Sequence, residues 1–294
     1  MSDTSLDERF GGVLPSEESS LGYLFWLSRP RFWLYLAGPV IVGVAYAAST
    51  PQELFSPLAV ALFVYFLVPA NVFLYGINDI FDADIDEVNP KKDDKEVRYQ
   101  GDPLVILAVF ASGGLGVLLV LFLNAEAVAP IGLFYLLAIE YSALPLRFKT
   151  TPILDSLSNG LYALPGIAAY AAVAGEYPPL AAMVGGWLWT MAMHTFSAIP
   201  DIEPDRAAGI RTTATLLGQE LTFGYCALVW LGAAVAFGVV HPFLGGVLGV
   251  YPLLAIAIAR SSVTVDRAYW WYPAINTVVG AVLTMAALWG MLYA

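Results

Sequence analysis

Residues 54–86 read LFSPLAVALFVYFLVPANVFLYGINDIFDADID, an apolar run that ends in closely spaced aspartates. The part up to residue 76 is as long as the stretch of about 20 apolar residues that a helix needs to cross a bilayer. The acids begin only where that apolar run stops. The stretch therefore predicts a membrane-spanning α-helix that carries a polar, functional segment at one end.

The composition of the whole chain agrees with this prediction. Of its 294 residues, 59% are hydrophobic and 13% are charged, and the mean hydropathy is +0.71. Because soluble domains carry about a quarter charged residues, these values indicate an integral membrane protein. The net charge of −11 argues against a nucleic-acid partner, since neutralising phosphates requires a basic face.

Nine apolar segments have the length of a membrane helix. They lie at about 32–49, 54–76, 103–123, 127–145, 153–174, 178–199, 220–240, 243–260 and 270–292. We therefore predict an all-α membrane protein with nine transmembrane helices. We further predict that residues 1–25 form a disordered acidic cytoplasmic tail and that residues 26–294 form the nine-helix domain.

The basic residues give this arrangement an orientation. All 13 Lys and Arg residues precede the first segment or follow the second, fourth, sixth or eighth, and the other connections contain none. Because basic loops stay in the cytoplasm, we predict a multi-pass protein of the cell membrane with a cytoplasmic N-terminus and an outside C-terminus. The two longest loops, about 77–102 and 200–219, then lie on the cytoplasmic side.

The first of these loops opens with an acidic motif. If the preceding helix continues, Asn78, Asp82 and Asp86 share one face at a spacing of four residues, and Asp79 flanks that face. Carboxylates at this spacing repel one another, so a bound cation would offset the cost. Oxygen ligands of this kind suit Mg²⁺, which also keeps positions for phosphate oxygens.

The second loop carries a similar motif. Asp201 and Asp205 again have the four-residue spacing, and Arg206 follows them. A solvated charge run is the alternative for either cluster alone. Together, at matching ends of two predicted spans, the clusters favour Mg²⁺ ions that hold one diphosphate and neutralise it as it leaves.

Basic residues that could bind a diphosphate lie on the same predicted side of the membrane as both motifs. Arg147 and Lys149 follow the fourth segment, and Arg31 precedes the first. Setting the membrane topology is the alternative role for these three. His194 is either a general base or a hydrogen-bonded packing residue. Asp155 and Glu140 lie close to the cytoplasmic ends of spans, where they are functional groups or solvated charges.

These residues together resemble the three signatures of the UbiA superfamily of membrane prenyltransferases. The resemblance is carried by Asn78–Asp86, by the segment from Tyr141 to Lys149, and by Asp201–Gly209, and it extends over nearly the whole chain. It implies nine membrane helices around a central cavity. It also implies that the motif acids are catalytic and hold magnesium-bridged diphosphate, and that Tyr141, Arg147, Lys149 and Arg206 line the diphosphate site.

The residues around the acids are similar to the lycopene elongase branch of that family. The similar stretches are NDIFDADIDEVNPKK, 78–92, and HTFSAIPDIEPDRAAGIRTTAT, 194–215. This resemblance implies dimethylallyl diphosphate as donor and lycopene as acceptor, with water addition or proton loss as the last step. A quinone precursor and geranylgeranylglyceryl phosphate are the alternative acceptors. A membrane transporter is the alternative from another class, but transporters place polar sites near the bilayer midplane.

Overall fold

The computed structural model describes residues 19–86 and 102–293, except for the side chains of residues 83–86. Within these ranges the chain consists of helices and turns and contains no β-strand. Fifteen α-helices are described, which we number α1 to α15. They are α1 Ser20–Leu27, α2 Trp33–Ala47, α3 Pro51–Leu54, α4 Pro57–Leu67, α5 Pro69–Asp86, α6 Pro103–Val120, α7 Ala125–Glu140, α8 Leu154–Leu157, α9 Leu164–Ala174, α10 Leu180–Ser197, α11 Ile202–Ala207, α12 Thr213–Val240, α13 Pro242–Leu248, α14 Val250–Ala259 and α15 Val265–Tyr293.

The sequence marks several helix starts with side chains that accept hydrogen bonds from free backbone amides. The Asn124 side chain accepts from the amide of Ala127 at the start of α7, at 3.0 Å. At the start of α12, Thr212 and Thr215 form a reciprocal capping box. These caps satisfy amides that have no partner within the helix, which fixes where each helix begins.

The first helix lies partly within the stretch that the sequence assigned to a disordered tail. Residues 20–25 belong to α1, and Tyr23 is buried at 8% exposure in the hydrophobic core. The hydroxyl of Ser20 also donates to the carboxylate of Asp102 at 2.9 Å. Burial of apolar side chains against α5 and α6 therefore extends the folded domain toward the N-terminus. The rest of the predicted tail, residues 1–18, lies outside the described residues.

Two helices of the first half pack at backbone contact. A Cβ atom at Gly43 of α2 would meet the carbonyl oxygen of Gly166 in α9, and one at Gly166 would meet the backbone of Pro39. Small residues such as glycine allow membrane helices to approach this closely.

Six helical segments of the described residues are long and apolar enough to cross a membrane. They are Pro51–Asp82, Pro103–Val120, Leu154–Ala174, Thr213–Val240, Pro242–Ala259 and Val265–Tyr293. Each overlaps a predicted span. The other three predicted spans coincide with α2, α7 and α10, which have 15, 16 and 18 residues. The fold is thus that of a multi-pass membrane protein with at least six candidate crossings in its described part.

The buried apolar side chains form two clusters along the chain. The first gathers helices up to α9, with Phe66 and Phe134 fully buried. The second gathers α10 to α15 around Trp230, Tyr251 and Tyr272, whose rings lie within 6.4 Å of one another. The two acidic motifs belong to different clusters, so any site that uses both lies where the clusters meet.

Candidate active site

The acidic segment, which the sequence analysis placed in a loop from about residue 77, continues as a helix to Asp86, so the predicted loop begins later. Helix α5 extends to Asp86, so Asn78, Asp79 and Asp82 lie on its last turns. Asp79 and Asp82 are buried, at 7% and 8% exposure. Because a buried carboxylate is costly without partners, the neighbours of these groups decide what they can do.

Ser142 connects two of the predicted ligands. Its hydroxyl oxygen lies 3.2 Å from Oδ1 of Asn78 and 3.3 Å from Oδ2 of Asp82. One hydroxyl proton can serve only one of these oxygens at a time. The two oxygens therefore converge on a single point from successive turns of α5, as the four-residue spacing predicted.

Two cations lie against the carboxylate of Asp82. Lys149 forms an ion pair through its Nζ with Oδ2, and Nη2 of Arg147 lies 3.4 Å from Oδ1. The same Nη2 donates to the carbonyl of Phe81 at 2.9 Å. The positive charges of Lys149 and Arg147 thus both face the carboxylate of Asp82. Together they can also bind a group with several anionic oxygens, such as a phosphate.

The loop after α7 brings these cations to the end of α5. Its backbone folds back on itself, since the amide of Lys149 donates to the carbonyl of Tyr141 at 3.0 Å and that of Arg147 donates to Ala143 at 2.8 Å. Arg147 adopts a left-handed conformation with φ of 40° and leads into a short 3₁₀ turn. The turn explains why two residues only two positions apart reach the same carboxylate.

The second acidic motif lies between α10 and α12. Asp201 ends a 3₁₀ turn and Asp205 lies in α11, and both are half-buried. Arg206 forms an ion pair with Glu203 at 2.9 Å and donates to the carbonyl of Thr215 at 2.9 Å. It therefore ties the motif loop to the first turn of α12.

Asp155 joins the regions of the two motifs. This buried carboxylate, at 1% exposure, accepts a hydrogen bond from the amide of Thr213 at 2.9 Å and a short one from its hydroxyl. The same hydroxyl accepts from the amide of Ile153 at 2.7 Å. Thr213 follows the second motif and Ile153 follows Lys149, so Asp155 holds the two loops together. The sequence left open whether Asp155 is a functional group or a solvated charge. Its burial shows that it is not a solvated charge.

Tyr141 and His194 form a second connection between the two halves. The Tyr141 hydroxyl oxygen lies 3.2 Å from Nε2 of His194, and the two rings meet edge to face with centroids 5.9 Å apart. Tyr141 caps the C-terminus of α7 and His194 lies in the last turn of α10. The histidine thus has a phenol partner that the sequence did not indicate.

The geometry of these loops agrees with a comparison of the whole chain. The profile of the UbiA prenyltransferase family matches residues 36–277. The chain belongs to the UbiA prenyltransferase family. It is therefore an enzyme that transfers prenyl groups, as the resemblance of its motifs implied.

Two relatives in the UbiA family cover nearly the whole chain. The lycopene elongase/hydratase of Haloarcula japonica is 62% identical over 287 residues, which span 97% of this chain and 98% of that protein. The lycopene elongase/hydratase of Haloferax volcanii is 63% identical over 275 residues, which span 92% and 89%. These identities confirm the branch of the family that the residues around the acids indicated.

A solved UbiA structure has the same fold. The UbiA homologue of Archaeoglobus fulgidus bound to DMAPP and Mg²⁺ matches with a TM-score of 0.69 at 20% identity, over 90% of this chain and 98% of that one. The likeness confirms the predicted all-helical UbiA fold.

The predicted magnesium ligands of this UbiA chain come together in part. Among the described residues, no three His, Cys, Asp or Glu side chains form a group that could hold a metal. Asp86 ends α5, but its side chain is outside the described groups. The oxygens of Asn78 and Asp82 do converge, and amide and carboxylate oxygens are ligands that Mg²⁺ accepts. The oxygen atoms of Asn78 and Asp82 are therefore chemically suited to bind Mg²⁺.

Arg29 and Arg31, which precede α2, contact different parts of the protein. The guanidinium of Arg31, a predicted diphosphate ligand, lies 3.6 Å from the ring centroid of Trp270 and donates to the Trp270 carbonyl. Arg29, with φ of 51°, places its guanidinium 4.3 Å from the ring centroid of Tyr75, one turn before Asn78 on α5. Arg29 thus also lies against α5. The sequence gave no signal for this contact, because it depends on how the turn before α2 packs on α5.

Proposed function

We propose that this prenyltransferase moves the five-carbon dimethylallyl group from its diphosphate to lycopene, with Mg²⁺ as cofactor. The proposal is supported by two relatives of at least 62% identity that are named lycopene elongase/hydratase. It is also supported by the fold shared with a UbiA homologue bound to DMAPP and Mg²⁺. The product is an elongated carotenoid that carries one new carbon–carbon bond for each transfer.

The proposal rests mainly on the side chains around the carboxylate of Asp82. Ser142 and Lys149 contact its Oδ2, Arg147 lies against its Oδ1, and Ser142 also reaches Oδ1 of Asn78. Mg²⁺, when bound, would neutralise the diphosphate as it departs. We assign Asn78, Asp82, Asp86, Asp201 and Asp205 as its ligands, and Asp79 as a catalytic residue beside them.

Arg147 and Lys149 bind the diphosphate in this proposal. Arg147 offers a planar fork of donors, and Lys149 offers a compact charge. Both already lie within reach of Asp82, so little reorganisation is required for them to contact an anion bound there. Arg31, Tyr141 and Arg206 complete the proposed diphosphate site. Of these three, Tyr141 lies nearest to Arg147 and Lys149 along the chain.

The reaction then needs positioning more than covalent catalysis. The bond between C1 of the donor and the diphosphate oxygen breaks, and both electrons leave with the diphosphate. The terminal double bond of lycopene attacks the allylic cation and forms the new bond. A tertiary cation remains on the acceptor until water adds or a proton leaves. The apolar interior keeps other water away from both cations.

The membrane arrangement belongs to the same proposal. We assign nine crossings around a central cavity, adding α2, α7 and α10 to the six segments that are long and apolar enough. All Lys and Arg residues then lie on one side, which the positive-inside rule makes cytoplasmic. Water-soluble donor meets the acidic motifs there, and the lipophilic acceptor enters from the bilayer of the cell membrane.

A competition assay tests the proposal. Purified protein in lipid is offered lycopene, a quinone precursor and geranylgeranylglyceryl phosphate together, with labelled dimethylallyl or geranyl diphosphate. We expect the label in lycopene, from dimethylallyl diphosphate, and its loss in Asp82→Ala. The exposed Glu176→Gln, between α9 and α10, is the matched acidic control and keeps the activity. Label in either of the other acceptors instead would refute the proposed function.

A further inference from the structure

The proposed transfer leaves a positive charge on the acceptor that some group must help to discharge. If water attacks the tertiary cation, a new carbon–oxygen bond forms and the water must lose a proton. Asp82 is poorly suited to take that proton, because Lys149 and Arg147 already lie against its two oxygens. A neutral acceptor close to the acidic helix is better suited.

Tyr141 and His194 provide such an acceptor. The phenol oxygen of Tyr141 lies 3.2 Å from Nε2 of His194, within hydrogen-bond distance. Tyr141 directly precedes Ser142, whose hydroxyl contacts Asn78 and Asp82. The pair therefore reaches from the proposed diphosphate site, to which Tyr141 belongs, to His194 in α10, and neither residue takes part in the ion pair of Asp82 and Lys149.

The surroundings of His194 place it inside the protein with part of its surface accessible. Its neighbours in α10, Met193 and Thr195, are buried at 5% and 0% exposure, whereas His194 itself is half-buried. The chain has two histidines, and the other, His241, caps α13 at the far end of α12 from Thr213. His194 is thus the histidine of this protein that can serve chemistry near the acidic motifs.

We propose that Tyr141 and His194 form the proton relay for hydration of the prenylated acceptor. Water adds its oxygen to the tertiary cation and passes one proton to the Tyr141 oxygen. Tyr141 passes its own proton to Nε2 of His194, which becomes an imidazolium and later releases the proton to solvent. The product is a tertiary alcohol, and no oxidant or reductant is needed.

The chemistry of the two side chains suits this sequence of transfers. A phenol hydroxyl can donate and accept at once, and a neutral imidazole accepts at its unprotonated nitrogen. Tyr141 contacts the water in this scheme, and His194 acts through Tyr141. Without the relay the cation would instead lose a proton from carbon to another acceptor, so the product would be an alkene.

The test measures products rather than rate alone, and it rests on the proposed function. Wild type, His194→Gln and Tyr141→Phe are assayed with lycopene and dimethylallyl diphosphate in water labelled with ¹⁸O. His241→Gln is the matched histidine control. Tyr135→Phe, on the same helix α7 with its hydroxyl bonded to Tyr65 and Gly113, is the matched tyrosine control. Elongated product, its ¹⁸O-hydroxyl fraction and released diphosphate are measured.

We expect the rate of hydrated product to fall by about 10²-fold in both relay variants, with elongated alkene in its place, since general acid–base groups contribute about 10²–10⁴-fold. The two controls keep the wild-type product ratio. An unchanged ratio of alcohol to alkene in His194→Gln would overturn the relay, as would a wild type that makes only alkene.

A variant without elongated product is also decisive. Diphosphate release that continues in it means that water captures the dimethylallyl cation before the acceptor attacks, which would overturn the relay, since the pair then serves acceptor binding. Loss of diphosphate release as well would overturn the relay, since the pair then serves ionisation or folding. If wild type does not prenylate lycopene at all, the proposed function itself fails.

Discussion

The ammonium group of Lys149 pairs with one carboxylate oxygen of Asp82, while Arg147 lies 3.4 Å from the other. Asp82 lies one turn before the end of α5, and both cations come from the loop that follows α7. Two cations thus lie against one carboxylate of the acidic segment. In the proposed function both bind the anionic donor.

Removing either cation should weaken donor binding. We expect Lys149→Met and Arg147→Met each to raise KM for the prenyl diphosphate by about 10- to 100-fold, because a hydrogen bond to a charged group contributes about 1.5–3 kcal/mol. Arg260→Met removes an exposed cation between α14 and α15 and is the matched control. Initial rates at varied donor concentration measure the effect. A KM that stays at the wild-type value in both variants would contradict the assignment.

Loosening the contact between Asp155 and Thr213 should destabilise the enzyme. Thr213→Val keeps the shape of the side chain but removes the hydroxyl that donates to Asp155 and accepts from the amide of Ile153. The buried carboxylate and amide then lose a partner, at a cost of about 1–3 kcal/mol. Thr213→Ser keeps the hydroxyl and serves as control. Thermal unfolding in detergent measures the difference, and equal midpoints for Val and Ser would argue against this role.

The backbone contact between α2 and α9 should not tolerate a methyl group. Gly43→Ala directs a Cβ at the carbonyl oxygen of Gly166, so we expect destabilisation by about 1–3 kcal/mol from overpacking. Gly132→Ala in α7 is the control, because a Cβ there meets nothing within 4 Å. Replacing that helical glycine should stabilise by about 0.5–1 kcal/mol. If both variants unfold at the same temperature, the close approach is not present.

Much of the fold follows from local patterns in the sequence. The apolar segments predict where helices lie. The four-residue spacing of Asn78 and Asp82 predicted a shared face if the helix continued, and α5 does continue, although a loop was expected from about residue 77. Residues 20–25 were misassigned because their burial depends on contacts with α5 and α6, which no local pattern records. The acidic composition of the preceding residues suggested a tail instead.

The site was predictable only as a set of residue types. Asp155 and Thr213 are 58 positions apart, and Tyr141 and His194 are 53 apart. Such pairs depend on how distant loops pack, and periodicity carries no information about that. The contact of Arg29 with the ring of Tyr75 likewise joins residues 46 positions apart. In each case the sequence shows which residue is present but not which distant residue it contacts.

Dependence on magnesium and on Asp82 tests the central claim most directly. Transfer of label from dimethylallyl diphosphate to lycopene is counted with purified protein, with a chelator, and after Mg²⁺ is restored. We expect a loss of at least about 10²-fold with the chelator, full recovery on adding Mg²⁺, and no recovery in Asp82→Asn, since a single electrostatic contact in a transition state contributes about 10²–10³-fold. Label transfer that continues in the chelator, or in Asp82→Asn at the wild-type rate, would contradict the account.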